Sequence, residues 1–197
     1  MSLSAEQIKK DYETFRGLCG KCGEDRSEKI LKMVDELEER IIECPASTKD
    51  EFHLATMGGW LNHSLRCLSF LLKLTKTFEV EFPKESLIIS GIFHDANKLG
   101  TPTQPYYIPE TEDWRIRKGY TYKINPEIRF MDAGQRGLYL LQHYGIQLKE
   151  DEYLAILLND GCSLPANASY SLKEPELAVL VHFADKWSCL FEKKNNL

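Results

Sequence analysis

The chain has 197 residues, 43% hydrophobic and 28% charged, a composition that supports a packed core and excludes disordered and fibrous classes. Twenty-five Lys and Arg against 30 Asp and Glu leave a net charge of −5, so no global basic field attracts nucleic acid or an anionic membrane. The longest apolar stretch, near Leu87–Phe93, falls far short of the ~20 residues a membrane helix needs.

Apolar residues recur at helical spacing along most of the chain. The spacing predicts an amphipathic helix over Ser27–Glu43, ended by Pro45, and a more buried one over Met57–Phe78, entered through Gly58-Gly59. Pro83 opens a third, Lys84–Lys98, closed by Gly100 where a C-terminal cap is expected. Further helices fit Ala133–Tyr144, Glu150–Leu158 and Glu174–Glu192, the last with Pro175 near its first turn. The expected fold is all-α, a single domain over 1–197 with its core at about 40–190 and N-terminal helices 4–44 packed on it. Strand signals are confined to Tyr120–Ile124, which fits one arm of a short hairpin.

Residues 101–126 break the helical pattern. They hold four of the eight prolines, together with Tyr106, Tyr107, Trp114, Tyr120 and Tyr122, interleaved with Arg115, Arg117, Lys118 and Lys123. A loop this long in a compact domain is functional or disordered, and its aromatic content argues against disorder. It reads either as a cover over a site, with stacking surface for a base and cations for phosphate, or as a surface flap packed by its own aromatics.

The N-terminus, MSLSAEQIKKDYETF, lacks an apolar run behind a basic start. With no such signal, six cysteines in a chain too long to need staples read as reduced thiols of a cytoplasmic protein. Cys19-Gly-Lys-Cys22 has the spacing of half a zinc knuckle, with no second pair to complete it.

The sharpest chemical feature is Phe93-His94-Asp95-Ala96-Asn97-Lys98-Leu99-Gly100, at the end of an apolar helix. Helical spacing would bring the His94 imidazole, the Asp95 carboxylate and the Lys98 ammonium together. Imidazole and carboxylate suit a divalent first-row metal, and a neighbouring cation suits phosphate. The alternative is a core histidine beside an exposed Asp95–Lys98 ion pair. His63, on the second helix, and Asp185, an acid within the apolar run Val181–Trp187, weigh on that choice. An acid so surrounded needs a partner or a metal, and helical bundles build metal sites from inward ligands on several helices.

In that order, His63, His94-Asp95 and Asp185 resemble the HD-domain superfamily of metal-dependent phosphohydrolases, whose pattern is a histidine, a later His-Asp pair and a distant aspartate. The resemblance spans roughly residues 40–190 and includes the Pro45-Ala46-Ser47 to Gly58-Gly59 approach and the Lys98-Leu99-Gly100 tail. It implies an HD-type helical bundle holding one divalent ion (Mn, Fe, Co, Ni, Zn or Mg) on His63, His94, Asp95 and Asp185. Asp95 and Lys98 would be catalytic and Lys98 would contact substrate; His53 reads as a substrate contact or a surface or packing histidine, and Arg66 as a phosphate clamp or a helix-packing residue. Two-metal members add histidines that are missing here, Asn159 standing where one is expected. The implied activity is cleavage of phosphate esters or anhydrides of nucleotides or deoxynucleotides. The competing readings are a phosphodiesterase or 3′ exonuclease on single-stranded nucleic acid and a silent nucleotide-binding regulator. His143 and His182 read as packing residues, and Asp160 as an outer acid or a turn residue.

Overall fold

The computed structural model describes residues 3–195. Helix α1 (Ala5–Cys19) starts where the Ser4 hydroxyl accepts from the Gln7 backbone N–H, at 3.1 Å. The single helix expected over Ser27–Glu43 is two, α2 (Glu24–Glu36) and α3 (Glu38–Glu43). They are separated at Leu37, whose φ of −106° and ψ of 14° leave the helical region while its side chain stays buried. Apolar periodicity carries through such a joint, because Val34, Leu37 and Ile41 face the same core on both sides of it.

Helix α4 (Gly59–Thr77) is central, packing against α5 (Lys84–Phe93) and against α9 (Glu176–Lys194). Its start requires both glycines. Gly58 has φ +74°, and a Cβ on Gly59 would lie 2.1 Å from the Leu54 carbonyl oxygen. The third expected helix stops at Phe93 rather than Lys98. Residues Ala96–Leu99 form a 3-10 turn instead, so His94 and Asp95 sit at a break and Lys98 reaches Asp95 around the turn. The Trp60 indole N–H donates to the Asp95 carbonyl at 2.9 Å and fixes that break from within.

Antiparallel strands β1 (Tyr107–Pro109) and β2 (Tyr122–Ile124) form a small sheet, Tyr107 opposite Ile124 and Pro109 opposite Tyr122, with the short helix α6 (Asp113–Ile116) between them. The expected hairpin arm is therefore realised. Helix α7 (Ala133–His143) packs on the 3-10 turn of Lys98, and α8 (Glu150–Leu157) joins it to α9. A second 3-10 segment, Pro165–Tyr170, had no sequence signal. The described residues thus give a mainly helical, all-α chain.

Two apolar clusters share α4. One gathers α1–α5 and α7 around Phe15, Trp60 and Phe93, whose rings meet edge to face with Phe15 5.6 Å from Trp60 and 5.8 Å from Phe93. The other joins α4, α8 and α9 through Cys67, Leu71, Leu177 and Val181. Each such large side chain contributes about 1.5–3 kcal/mol by leaving water, and the polar residues His63, His94 and Asp95 are buried between them. Among the described residues no helix is long and apolar enough to cross a membrane.

Candidate metal centre

His63 from α4, His94 and Asp95 from the break after α5, and Asp185 from α9 converge, one ligand atom from each lying within 4.8 Å of all the others. His63 Nε2 is 3.0 Å from Asp185 Oδ1, 3.3 Å from His94 Nε2 and 3.8 Å from Asp95 Oδ2. His94 Nε2 is 3.6 Å from both Asp95 Oδ2 and Asp185 Oδ1. Residues 122 apart in sequence are brought to hydrogen-bond range by the α4–α9 packing.

The far sides of both imidazoles are committed. His94 Nδ1–H donates to the Gly91 carbonyl at 2.9 Å, an acceptor only, which leaves Nε2 as the free nitrogen of the neutral ring. His63 Nδ1–H donates to the Glu192 carboxylate at 3.0 Å. Glu192 is fully buried and also accepts from Arg66 Nε at 3.0 Å, while Arg66 donates to Asn62 Oδ1 at 2.7 Å and stacks over Phe191. Carboxylates and carbonyls behind imidazoles in this way fix the tautomer and raise ligand basicity in metal sites.

The electrostatics ask for positive charge at the centre. Burial pushes the His63 pKa down, yet Asp185 and Glu192 reverse it and hold it above the usual value. Burial likewise works against His94, and its neighbours Cys67, Asp95 and Asp185 raise it well above the usual range. Burial would raise Asp185, but its hydrogen bonds to His63 and His94 pull it well below an ordinary carboxylate. Asp95 is also lowered, Lys98 being the chief cause that outweighs burial. Protons on the two imidazoles and a divalent cation would meet the same demand, and they compete for the same Nε2 lone pairs.

Lys98 pairs with Asp95 Oδ2 at 2.5 Å, and that charge raises the ammonium pKa despite burial. The ion pair is thus buried at the centre rather than exposed. The Asn159 amide donates to Asp95 Oδ1 at 3.2 Å, and its own Oδ1 is buried with no partner. Burial first, then the charges of Asp95 and Asp185, raise the Asp160 carboxyl.

His53 sits beside the quartet, its ring 5.0 Å from that of His63. Burial and the nearby His63 and Lys98 lower its pKa to about 4, so at neutral pH it is a neutral donor or acceptor and not a cation. Arg66 is brought to Glu192 rather than to the centre. His182 lies outside the quartet and donates from Nδ1 to the Asn159 carbonyl at 2.7 Å. His143 is exposed, in contrast to its expected packing role. Of the loop cations, Arg115 and Lys123 pair with Glu110, and Lys118 stands over Trp114, which favours a flap held by its own side chains.

Sequence reasoning missed Glu192, and it missed Arg136. Arg136 is 3% exposed on α7 and its Nε has no hydrogen-bond partner. It donates from Nη2 to the Arg129 carbonyl and stands 5.6 Å from the Tyr106 ring centre, and no carboxylate pairs with it among the described residues. Burial raises the Tyr106 phenol while Arg136 and Lys98 pull it down. Comparison with protein-family models, curated proteins and solved structures finds no match for this chain.

Proposed function

We propose that the protein is a metal-dependent phosphohydrolase of the HD-domain type, acting on nucleotides or deoxynucleotides. One observation carries this reading: two buried imidazole Nε2 atoms, 3.3 Å apart and each with its other nitrogen engaged, lie within reach of two carboxylates. Two lone pairs and two negative charges at that spacing are relieved by protons on the imidazoles or by a divalent cation among them, and the donor set suits the cation. The unpartnered Asn159 Oδ1 at the same centre also fits an ion with its water. His63, His94, Asp95 and Asp185 would hold the cation.

When bound, that ion supplies Lewis acidity toward a phosphoryl oxygen and toward an attacking water. Lys98 binds phosphoryl oxygens, its charge secured by Asp95, and neutralises charge developing there. Arg136, a buried guanidinium with no paired carboxylate among the described residues, would take a second phosphate of the substrate. Glu192 and Gly91 hold the imidazoles in the tautomer that presents Nε2. A cleft of about 500 Å³ adjoins Lys98, walled by Tyr107, Pro109 and Tyr122, and offers a base an aromatic surface.

The purified protein is offered nucleoside mono-, di- and triphosphates and a single-stranded oligonucleotide, each with Mn, Co, Ni, Mg or Zn. Release of phosphate or pyrophosphate from free nucleotides is the expected result. Shortening of the oligonucleotide without such release would overturn the proposal in favour of a phosphodiesterase.

A further inference from the structure

Helix α9 has two unlike sides. At about 100° per residue, Asp185, Ser188 and Glu192 fall on the side that packs on α4 and α8 and carries the metal centre. Val179, Phe183, Trp187, Leu190 and Lys194 fall within about 80° of arc on the opposite side. Phe183, Trp187 and Leu190 are 50%, 58% and 55% exposed, and their spacing of four and then three makes one apolar stripe rather than scattered residues. The ends of the stripe carry opposite charges, Glu176 in the first turn of the helix and Lys193 and Lys194 in the last. None of those end charges has an ion-pair partner among the described residues.

We infer that this face binds a second copy of the chain, the two α9 helices lying antiparallel across a twofold axis at the level of residue 185. The pattern is self-complementary in that register. Phe183 and Trp187 stand two residues either side of 185, Val179 and Phe191 six, and Glu176 and Lys194 nine. Each therefore meets its counterpart on the other copy, ring against ring at the middle and carboxylate against ammonium at both ends, as an isologous contact requires. A parallel pairing would instead set Glu176 against Glu176 and Lys194 against Lys194. An aromatic side chain buries about 150–250 Å², so the near-half that Phe183, Trp187, Leu190 and Phe191 still expose amounts to roughly 400 Å² per copy. Both copies together, with Val179 and the lysine stems, bring the total to about 1,200 Å², the low end of specific interfaces. That area fits a micromolar dimer rather than an obligate one. A lipid surface fits less well, because membrane-facing helices have a mainly basic polar side, whereas Glu176 stands at one end here and the chain carries a net −5. The inference is independent of the metal and of the phosphohydrolase reading.

Sedimentation velocity of the full-length protein from about 1 to 300 µM tests this. Expected is a reversible monomer–dimer equilibrium with Kd on the order of 1–100 µM. Trp187→Glu should stay monomeric across the range with wild-type circular dichroism, and should that variant misfold, Phe183→Glu reads the same contact. Glu176→Lys and Lys194→Glu should each weaken the dimer roughly 3- to 30-fold, since two symmetric ion pairs are lost, and the variant carrying both should recover wild-type affinity. A wild-type monomer at every concentration overturns the inference, and the same protein pelleting with anionic phospholipid vesicles would assign the face to a membrane instead. A dimer that survives both Trp187→Glu and Phe183→Glu overturns it too. So does a dimer abolished by Phe130→Ser, which would place the contact at a 92% exposed residue outside α9. Single charge variants that weaken the dimer with no recovery in the double variant overturn the antiparallel register.

Discussion

Glu192 is a residue whose removal reports on the centre without touching it. Its carboxylate is fully buried, with its oxygens 3.0 and 3.2 Å from His63 Nδ1 and one of them 3.0 Å from Arg66 Nε. Loss of a carboxylate behind a ligating histidine typically lowers metal affinity by roughly 10- to 100-fold, or about 1.4–2.7 kcal/mol. Glu192→Gln keeps the volume and one acceptor, so His63 retains its tautomer and the loss is near the lower figure. Glu192→Ala leaves a buried His63 N–H unsatisfied, at about 1–3 kcal/mol, and its loss is near the upper figure. Arg66 contributes less to the penalty, since its partly exposed side chain is solvated and remains stacked on Phe191. Calorimetric titration with manganese, which suits carboxylate and imidazole ligands, reads the quartet. Melting of the metal-free proteins separates stability from affinity. Wild-type manganese affinity in both variants, or a loss of stability alone, would refute the link from Glu192 through His63 to the metal.

Other substitutions extend the test. Asp185→Ala should abolish metal binding and activity with helix content near wild type by circular dichroism, and full activity in it would remove Asp185 from the ligand set. Arg136→Gln should raise KM for a nucleoside triphosphate roughly 10- to 100-fold, the worth of a charge-assisted contact of ~1.5–3 kcal/mol, and an unchanged KM refutes the phosphate role. Gly59→Ala should destabilise the fold, since the added Cβ would meet backbone at 2.1 Å, and a wild-type melting temperature would contradict that close approach. For Glu110, desolvation raises the pKa, but the backbone N–H groups of Glu112 and Thr111 and the Arg115 guanidinium lower it to about 2. Its stabilisation of the flap is complete above the ordinary carboxylate pKa of about 4.5 and fades as pH falls toward 2. The protection factors of the Thr111 and Glu112 amides, which correct for slower intrinsic exchange in acid, should fall over that window in the wild type and show no such step in Glu110→Gln.

Legibility in the sequence followed the range of the interaction. His94-Asp95 is visible because a charged pair ends an apolar helix, and Asp185 because an acid interrupts the run Val181–Trp187. Both signals are local. Glu192 opens Glu192-Lys193-Lys194 and reads as a solvated helix end. It is buried only because α4 crosses α9 and brings His63 and Arg66 over it. Its spacing of seven from Asp185, with Cys189 at four, puts all three on one helical face, and that signal was available. Arg136 follows Gln135 on an amphipathic helix and looks exposed until α7 packs on the Lys98 turn. The 3-10 turn itself was hidden, because Ala96, Asn97 and Leu99 are all buried and burial at those positions mimics a continuing helix. In the loop, the aromatics and cations were seen, but Glu110, which ties Arg115 and Lys123 down, was not.

The central claim is that the four converging side chains hold a divalent cation. Crystals grown with cobalt and measured at the cobalt absorption edge test it most directly. An anomalous peak about 2.0–2.2 Å from His63 Nε2, His94 Nε2 and the Asp95 and Asp185 carboxylates is the predicted result. A map with no peak among those atoms, in protein whose solution contains excess cobalt at neutral pH, would contradict it.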